Sequence, residues 1–388
     1  MSKRIAIITT HPIQYYAPLF KLLAKEIGIK VFYTWGKNSI EKFDPGFGKT
    51  INWDVPLLDG YEYDFLENTS PSPGSHNFKG IVNPNIIKSI EAYSPSAILV
   101  FGWSYNSHLK VLRHFKGKVP VYFRGDSTLL DNKKTTLADK VKLFCRKLLL
   151  HSVYRHVDKV FHVGSASKAY FKWVGLKENQ LVFAPHAIDN VRFEQNCTSE
   201  ALAKRAKLGI PENAKVILFA GKLEPKKNPQ LLLKVFLASD MKDAHLIFIG
   251  NGILEQALKV QAAKAGKQAL VHFVGFQNQS LMPMWYNLAD VFCLPSQGPG
   301  ETWGLAVNEA MACGKAIITS SKVGCAIDLV KESVNGWVFE TEARLQTIFA
   351  QLPSKQALEK MGARSKQIIE QWALPVTASN MLKEWEQQ

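Results

Sequence analysis

Short apolar runs without polar alternation recur along the chain, and stretches with helical spacing separate them. In the first half, these runs predict strands at 5–9, 29–33, 97–101, 119–123, 157–163 and 181–184. The intervening stretches predict helices at 16–27, 84–93, 107–115 and 136–154. Uninterrupted apolar strands that alternate with helices are typical of a parallel sheet covered on both faces.

The same alternation restarts in the second half of the chain. Strands are predicted at 216–220, 244–249, 269–274, 291–294 and 316–319, and helices at 229–238, 253–265, 281–288 and 305–313. We therefore predict an α/β protein with two Rossmann-like domains, residues 1–190 and 191–365, whose parallel sheets face each other across a cleft. A C-terminal helix within residues 366–388 is expected to pack back on the first domain.

Composition adds little to this picture but excludes some classes of protein. Apolar residues make up 46% of the 388 residues, and no apolar run approaches the roughly 20 residues that a membrane span needs. The run at 5–8 is too short for a signal peptide and ends before Pro12, so we interpret it as the first strand of a cytoplasmic protein. The five cysteines form no Cys-x-x-Cys pair, which predicts free thiols and no zinc site.

The net charge of +15 is concentrated in the first half of the chain, where residues 1–190 hold 26 Lys/Arg and 15 Asp/Glu. A basic half indicates an anionic partner, such as a membrane surface, a phosphorylated substrate or a nucleic acid. We find no aromatic-basic nucleic-acid motif and no zinc finger, so a nucleic-acid partner is not expected.

The predicted helix at 136–154 is both basic and amphipathic. Its apolar stripe and its basic positions are Leu137, Val141, Phe144, Leu148, Lys140, Lys142, Arg146 and Lys147. Two interpretations stay open. The stripe can pack inward, as in an ordinary outer helix, or the helix can dock on anionic lipid at the inner face of the plasma membrane.

The strongest chemical signal is the segment that runs from Glu301 to Glu309, which follows a predicted strand and a glycine-rich stretch. Backbone amides near Gly304 and Leu305 would lie at a helix N-terminus, which favours binding of a diphosphate. Glu301 can accept hydrogen bonds from sugar hydroxyls. Glu309 lies about two helical turns further on and suits a ribose diol.

This segment, with the Ala-Met-Ala-Cys-Gly-Lys run at 310–315, resembles the Glu-x7-Glu signature of the family-four (group 1) retaining glycosyltransferases. The resemblance implies a fold of the GT-B type, a hexose contact for Glu301 and a ribose contact for Glu309. It also implies that the donor binds mainly to the second domain and the acceptor to the first.

A second match to this family is Gly221-Lys222-Leu, followed by further lysines. The resemblance implies that Lys222 and Lys227, with Lys226 as the alternative in register, bind the donor pyrophosphate. Fixed cations stabilise the charge of a leaving diphosphate, so neither a metal nor another cofactor is expected.

Two weaker matches concern the nucleobase and the entry to the second domain. The resemblance places Phe276 and Gln277 near the nucleobase of the donor. The Pro-His-Ala-Ile-Asp run at 185–189 resembles the turn that enters the second domain, with His186 in a structural role.

The first domain departs from the family pattern, because it has no glycine between Met1 and Ile27. We expect His11 and Gln14 to replace the usual glycine-rich loop at the donor, or His11 to act as a helix cap or an acceptor contact. Near the end of the strand at 119–123, where members carry a histidine, stand Arg124 and Asp126. Asp126 is predicted to orient the acceptor hydroxyl or to stabilise positive charge at the anomeric carbon. Arg124 is predicted to pair with it or to grip an acidic acceptor, and Trp103 to stack on a sugar or simply to pack.

The resemblance to this family implies a metal-independent, retaining hexosyltransferase that uses a nucleotide-sugar. On the same ground a UDP-sugar is the expected donor, with GDP-mannose as the alternative. The resemblance also implies an acceptor that is a glycan or a lipid-linked sugar, in the assembly of cell-surface polysaccharide or lipopolysaccharide. A nucleotide-sugar epimerase of the same fold is the nearest alternative, and a basic nucleic-acid-binding protein is an alternative from another class.

Overall fold

The computed structural model describes residues 3–40, 42–44, 48–132, 135–241 and 243–387. The strands of these residues are β1 (Arg4–Thr9), β2 (Gly28–Tyr33), β3 (Lys42–Asp44), β4 (Lys49–Ile51), β5 (Glu62–Phe65), β6 (Ala97–Phe101), β7 (Val121–Gly125), β8 (Lys159–His162), β9 (Leu181–Phe183), β10 (Lys215–Ala220), β11 (Ala244–Ile249), β12 (Val271–Val274), β13 (Val291–Leu294), β14 (Ala316–Ser320) and β15 (Gly336–Phe339).

The helices lie between these strands and after the last of them. They are α1 (Ala17–Glu26), α2 (Ile86–Tyr93), α3 (Asn106–Phe115), α4 (Leu137–Tyr154), α5 (Ser165–Val174), α6 (Asn190–Phe193), α7 (Thr198–Lys207), α8 (Pro229–Ala238), α9 (Glu255–Lys264), α10 (Met282–Leu288), α11 (Leu305–Ala312), α12 (Ala326–Leu329), α13 (Glu342–Ala350), α14 (Lys355–Ile369) and α15 (Leu374–Glu386). Among the described residues, no helix combines the length and the apolar character that a membrane crossing requires.

The first sheet has seven parallel strands in the order β5-β2-β1-β6-β7-β8-β9. Ile5 of β1 lies opposite Ile29 of β2 on one side and Ala97 of β6 on the other. β2 and β5 therefore lie on one side of β1, and β6 lies on its other side. This reversal creates a switch point between β1 and β6, where open α/β sheets bind ligands.

The second sheet has six parallel strands in the order β12-β11-β10-β13-β14-β15. Its switch point lies between β10 and β13, where Ile217 pairs with Val291. The prediction of two parallel α/β sheets is confirmed. The strands that sequence analysis did not predict are β5 and β15, at sheet edges, and β3 and β4, which form a separate two-stranded sheet.

The chain divides into two compact units that interleave in sequence. Unit 1 consists of Met1–Lys42, Val55–His186 and Leu374–Gln388, and unit 2 of Phe43–Asp54 and Ala187–Ala373. The second stretch of unit 1 ends at His186, four residues before the predicted domain boundary at residue 190. Residues 366–373 belong to unit 2 because α14 packs on α11 and β14. The assignment of residues 43–54 to unit 2 was not predicted.

The C-terminal helix α15 is part of unit 1, where it packs on α1. Trp385 is buried, and its ring lies edge-on to Tyr122 and Phe161 at centroid distances of 6.2 and 5.9 Å. Glu384 pairs with Lys159 at 2.5 Å. These contacts attach the last helix of the chain to strands β7 and β8 of the first sheet.

Candidate functional site

The candidate site in unit 2 lies at the carboxyl ends of β10 and β13, the two strands that flank its switch point. Directly after β10, the Gly221 amide donates to the Ile249 carbonyl at 2.9 Å, which extends the pairing with β11 by one hydrogen bond. Lys222, the next residue, has a half-buried side chain. The loop after β13 is joined to the turn after β10 through Gln297. Its backbone amide donates to the Lys226 carbonyl at 2.9 Å, and its side-chain amide donates to the Pro225 carbonyl at 2.8 Å.

The central feature of this site is an ion pair between Lys227 and Glu301. The Lys227 ammonium contacts Oε2 of Glu301, and the two side chains are only 18% and 8% exposed. The Ser296 hydroxyl donates to the same oxygen at 2.8 Å. Lys226 instead lies 3.6 Å from Glu224 and is 41% exposed. Of the two lysines left open by the sequence, Lys227 is therefore the one that the fold places against Glu301, and Ser296 is a partner that sequence reasoning missed.

Two glycines let the loop around Glu301 pack tightly. Gly304 has a φ of 97°, and a Cβ placed on it would lie 2.8 Å from Cγ1 of Val323. A Cβ on Gly324 would lie 1.7 Å from the Thr302 carbonyl oxygen. A side chain would therefore not fit at either position. Helix α11 begins at Leu305, directly beside this loop. The first amides of a helix lack intrahelical acceptors and favour an anion.

Glu309 lies inside unit 2 rather than on an open helix surface. It is 3% exposed, and the Tyr286 hydroxyl donates to its Oε2 at 2.7 Å. The Gln279 amide approaches its Oε1 at 3.5 Å, which is a weak hydrogen bond. Tyr286 and Gln279, neither of which sequence analysis singled out, thus orient this carboxylate.

The loop after β12 carries Phe276 and Gln277, which the sequence places near a nucleobase. The Phe276 amide donates to Oδ1 of Asn251 at 2.9 Å. Oε1 of Gln277 accepts from the Trp285 indole at 3.0 Å, so this amide side chain helps to hold the loop. Asn251 was missed, although a Gly-Asn-Gly run directly after a buried strand is a signal for a ligand-facing turn.

In unit 1, the predicted residues His11 and Trp103 lie at the carboxyl ends of β1 and β6. Nδ1 of His11 lies 2.8 Å from the Thr10 hydroxyl, and its ring is edge-on to Trp35 at 5.3 Å. Trp103 is partly buried and packs against the core, an environment that favours the packing interpretation. Gln14 is half-buried between β1 and α1.

Arg124, near the end of β7, is buried, and its guanidinium group donates hydrogen bonds to backbone carbonyls. It donates to the Ala184 carbonyl at 2.7 Å and to the Pro185 carbonyl at 2.9 Å. Burial lowers the pKa of Arg124 to about 10, against opposing contributions from Tyr16 and Asp126. Arg124 therefore braces the segment after β9 and does not present its charge to solvent.

Asp126 belongs to a polar cluster with Tyr16 and His186. The rings of Tyr16 and His186 stack with centroids 6.0 Å apart. Burial raises the pKa of Tyr16 to about 12, and the negative charge of Asp126 adds to this shift. Burial also lowers the pKa of His186 to about 4, with Arg124 acting in the same direction and Asp126 opposing it. Near neutral pH, Tyr16 is thus protonated and His186 is uncharged beside half-buried Asp126.

The sequence similarity to known proteins is concentrated in unit 2. Residues 201–367 match the model of a family described as Glycosyl transferases group 1. A D-inositol 3-phosphate glycosyltransferase of Streptomyces griseus is 31% identical over 195 residues, which cover 46% of this chain and 40% of that protein. The chain spans 35–42% of the length of the first four curated relatives. The resemblance noted for residues 301–315 is thereby confirmed.

Solved structures of the same fold cover nearly the whole chain. Anabaena HepE, solved in complex with UDP and glucose, superposes with a TM-score of 0.73 at 17% identity and covers 100% of both chains. The lipopolysaccharide outer core galactosyltransferase WaaB superposes with a TM-score of 0.66 at 13% identity, over 97% of this chain and 98% of that one. At these identities the likeness concerns the fold, which is that of the GT-B glycosyltransferases.

Proposed function

We propose that this chain, whose residues 201–367 match the group 1 glycosyl transferase family, transfers a hexosyl unit from a nucleotide-sugar to a hydroxyl group with retention of anomeric configuration. A UDP-sugar is the donor that we favour, with GDP-mannose as the alternative. The observation that carries the proposal is the Lys227–Glu301 pair, which lies at the switch point of the second sheet and in the loop that leads into α11.

On the donor side, the proposal assigns the diphosphate to the N-terminus of α11 and to two lysines. The amides after Gly304 bind its oxygens, and Lys222 and Lys227 approach with positive charge. When the glycosidic bond to the diphosphate breaks, the leaving group gains negative charge. Cations held in place by the fold stabilise this charge without reorganisation, so the reaction needs no divalent ion.

In the same proposal, Glu301 accepts hydrogen bonds from hydroxyls of the transferred hexose, and Glu309 binds the ribose. Lys227 is then shared between the Glu301 carboxylate and the diphosphate. The leaving diphosphate takes the proton of the attacking hydroxyl on the same face of the sugar, which accounts for retention without a covalent enzyme intermediate. Asp126 of unit 1 is the candidate group that orients the acceptor hydroxyl.

We place the acceptor, a glycan or a lipid-linked sugar, at the inner face of the plasma membrane during cell-surface polysaccharide or lipopolysaccharide assembly. The support is the outer face of α4. Leu137 is 78% exposed and Phe144 60%, and Val141, Leu148 and Leu149 are each more than half exposed. Lysines and Arg146 alternate with these side chains. Exposed apolar residues among basic ones suit a helix that lies in an anionic bilayer surface.

The function is tested by thermal shift of the purified chain with UDP, GDP and their sugars, with and without EDTA. Stabilisation by one nucleotide class that EDTA leaves unchanged is expected, and it identifies the base. Absence of any shift, or a shift abolished by EDTA, contradicts a metal-independent donor site. Release of nucleoside diphosphate that depends on an added acceptor then distinguishes transfer from epimerisation.

A further inference from the structure

A short segment from the first part of the chain is built into unit 2. Residues Phe43–Asp54 lie between β2 and β5 in sequence, both of which belong to the first sheet, yet they form part of the second compact unit. They contain β3 and β4, which pair with each other. The end of this segment, residues 52–54, lies on the loop that follows β12.

Polar contacts on both sides of Trp53 attach the segment to that loop. The Asn278 side-chain amide donates to the Asn52 carbonyl at 2.6 Å. The Ser280 amide donates to the Asp54 carboxylate at 3.2 Å, and the Ser280 hydroxyl donates to the same group. Trp53 is therefore held between two anchored neighbours rather than at the tip of a free loop.

The Trp53 ring meets Phe276, the aromatic residue of the same loop. Their centroids are 6.1 Å apart and the ring planes are inclined by 62°, an edge-to-face pair, and both side chains are half-buried. Partly exposed aromatic rings at the carboxyl end of a Rossmann-type sheet provide flat apolar surface beside the ligand crevice. A nucleobase is the part of a nucleotide-sugar that such a surface recognises.

We propose that Trp53 forms a second aromatic wall of the nucleobase pocket, next to Phe276, and so contributes to donor affinity. The inference rests on the proposed function, which assigns the nucleotide to unit 2. Because the contacts at Asn52 and Asp54 already order the segment, little conformational freedom remains to be lost when the base binds. Asp54 acts as a positioning residue for Trp53 through Ser280.

The experiment compares the affinities of the full chain for UDP and for inorganic pyrophosphate, both measured by calorimetry. Trp53→Ala is expected to raise the Kd for UDP about tenfold, the order found when an aromatic ring that stacks on a base is removed. Its Kd for pyrophosphate, which has no base, is expected to stay unchanged. Trp53→Phe should retain most of the UDP affinity, and Asp54→Ala should weaken UDP binding in the same selective way.

Asn52→Ala is the matched control, because the anchor that Asn52 provides is its backbone carbonyl, which alanine retains. Its UDP affinity should equal that of the wild type. Unchanged UDP binding in Trp53→Ala, alongside weakened binding in Phe276→Ala, overturns the inference and leaves the proposed function intact. An equal loss of UDP and pyrophosphate affinity in Trp53→Ala also overturns it, since that result indicates general disruption. If the wild type binds GDP and not UDP, the same comparison is made with GDP and pyrophosphate, and an unselective or absent loss of GDP affinity in Trp53→Ala overturns the inference. No nucleotide binding at all overturns both proposals.

Discussion

The ammonium of Lys227 and the hydroxyl of Ser296 converge on one carboxylate oxygen of Glu301. Lys227 ends the turn after β10, and Ser296 and Glu301 belong to the loop after β13, so the contact joins the two strands that flank the switch point. Because Lys227 and Glu301 are largely buried, removal of either one leaves the other charge without its partner in a poorly hydrated place. The geometry of this pair is therefore sensitive to single substitutions.

Glu301→Ala is expected to lower turnover about 100-fold or more, because the variant loses a group that contacts the reacting hexose. Initial rates of nucleoside diphosphate release at saturating donor measure the effect. Glu224→Ala is the control, since Glu224 lies near the same lysines and pairs with Lys226, at 3.6 Å, rather than with Lys227. Near-normal turnover in Glu301→Ala refutes the role assigned to this carboxylate.

Glu309→Ala should mainly weaken donor binding, with KM for the donor raised about tenfold and a smaller change in kcat, the pattern of a ground-state contact. Tyr286→Phe removes the 2.7 Å hydrogen bond that orients the carboxylate and should shift KM in the same direction by less. Steady-state kinetics with varied donor separates the two parameters. A fall in kcat as large as that of Glu301→Ala, without a rise in KM, contradicts the ribose assignment.

Gly304→Ala is expected to destabilise unit 2 by about 2–4 kcal/mol, because it combines a positive φ with overpacking. The added methyl group would lie 2.8 Å from Val323 and 3.1 Å from Leu294. Gly300→Ala is the matched control: its φ of 89° is similar, but a Cβ there meets no atom within 4 Å, so about 1 kcal/mol is expected. Urea unfolding measures both variants. Equal losses would show that the packing around Gly304 is not tight.

Acid should destabilise unit 1 partly through His108. This side chain is fully buried, donates from Nδ1 to the Gly102 carbonyl at 2.9 Å and lies 2.8 Å from the Thr34 hydroxyl. Burial lowers the pKa of His108 from 6.5 to about 4. The unfolded chain therefore binds the proton more readily, and the stabilisation present above pH 6.5 is lost as the pH falls toward 4, by about 3 kcal/mol.

The measurement is the free energy of unfolding of His108→Gln between pH 7 and pH 4. This variant should be less stable than the wild type at pH 7 and should lose less stability on acidification. His76→Gln, at an exposed loop position, serves as the control. It should keep the wild-type dependence of the free energy of unfolding on pH. If the free energy of unfolding of His108→Gln depends on pH as steeply as that of the wild type, His108 is not the source of the acid sensitivity.

Membrane docking through α4 predicts that the protein sediments with phosphatidylserine vesicles at low salt. Replacement of Phe144 and Leu148 by serine should reduce the bound fraction severalfold, because each buried apolar side chain contributes about 1.5–3 kcal/mol. Ile253→Ser is the control, since Ile253 is 79% exposed and belongs to unit 2, whereas α4 belongs to unit 1. Failure of the wild type to sediment removes the membrane proposal, and equal loss in the control variant removes the specific role of α4.

The core strands were predictable because parallel strands buried on both faces read as continuous apolar runs. Ala97–Phe101 and Val291–Leu294 are fully buried and were predicted within a residue. Edge strands do not have this signature. Glu62–Phe65 is largely exposed, and its polar residues hide the strand from any apolar pattern. Only pairing with Gly28–Tyr33 makes it a strand.

The chemistry of the site followed from sequence where the residues are local. Glu301, Gly304 and Glu309 lie within one loop and one helix, so their spacing alone places them together. The choice between Lys226 and Lys227 could not be made in this way. It depends on the 3₁₀ turn at Pro225–Lys227, which directs one ammonium to Glu301 and the other toward Glu224.

By itself, the sequence determined two parallel α/β sheets, a glycosyl transferase signature and the candidates Glu301, Glu309 and Lys222. Only the tertiary structure decided that Phe43–Asp54 joins unit 2, that Ser296 and Tyr286 orient the two glutamates, and that the apolar stripe of α4 faces outward. The physical reason is the range of the interactions. Periodicity and motif spacing record neighbours along the chain, whereas hydrogen bonds, ion pairs and burial depend on which distant segments the folded chain brings into contact.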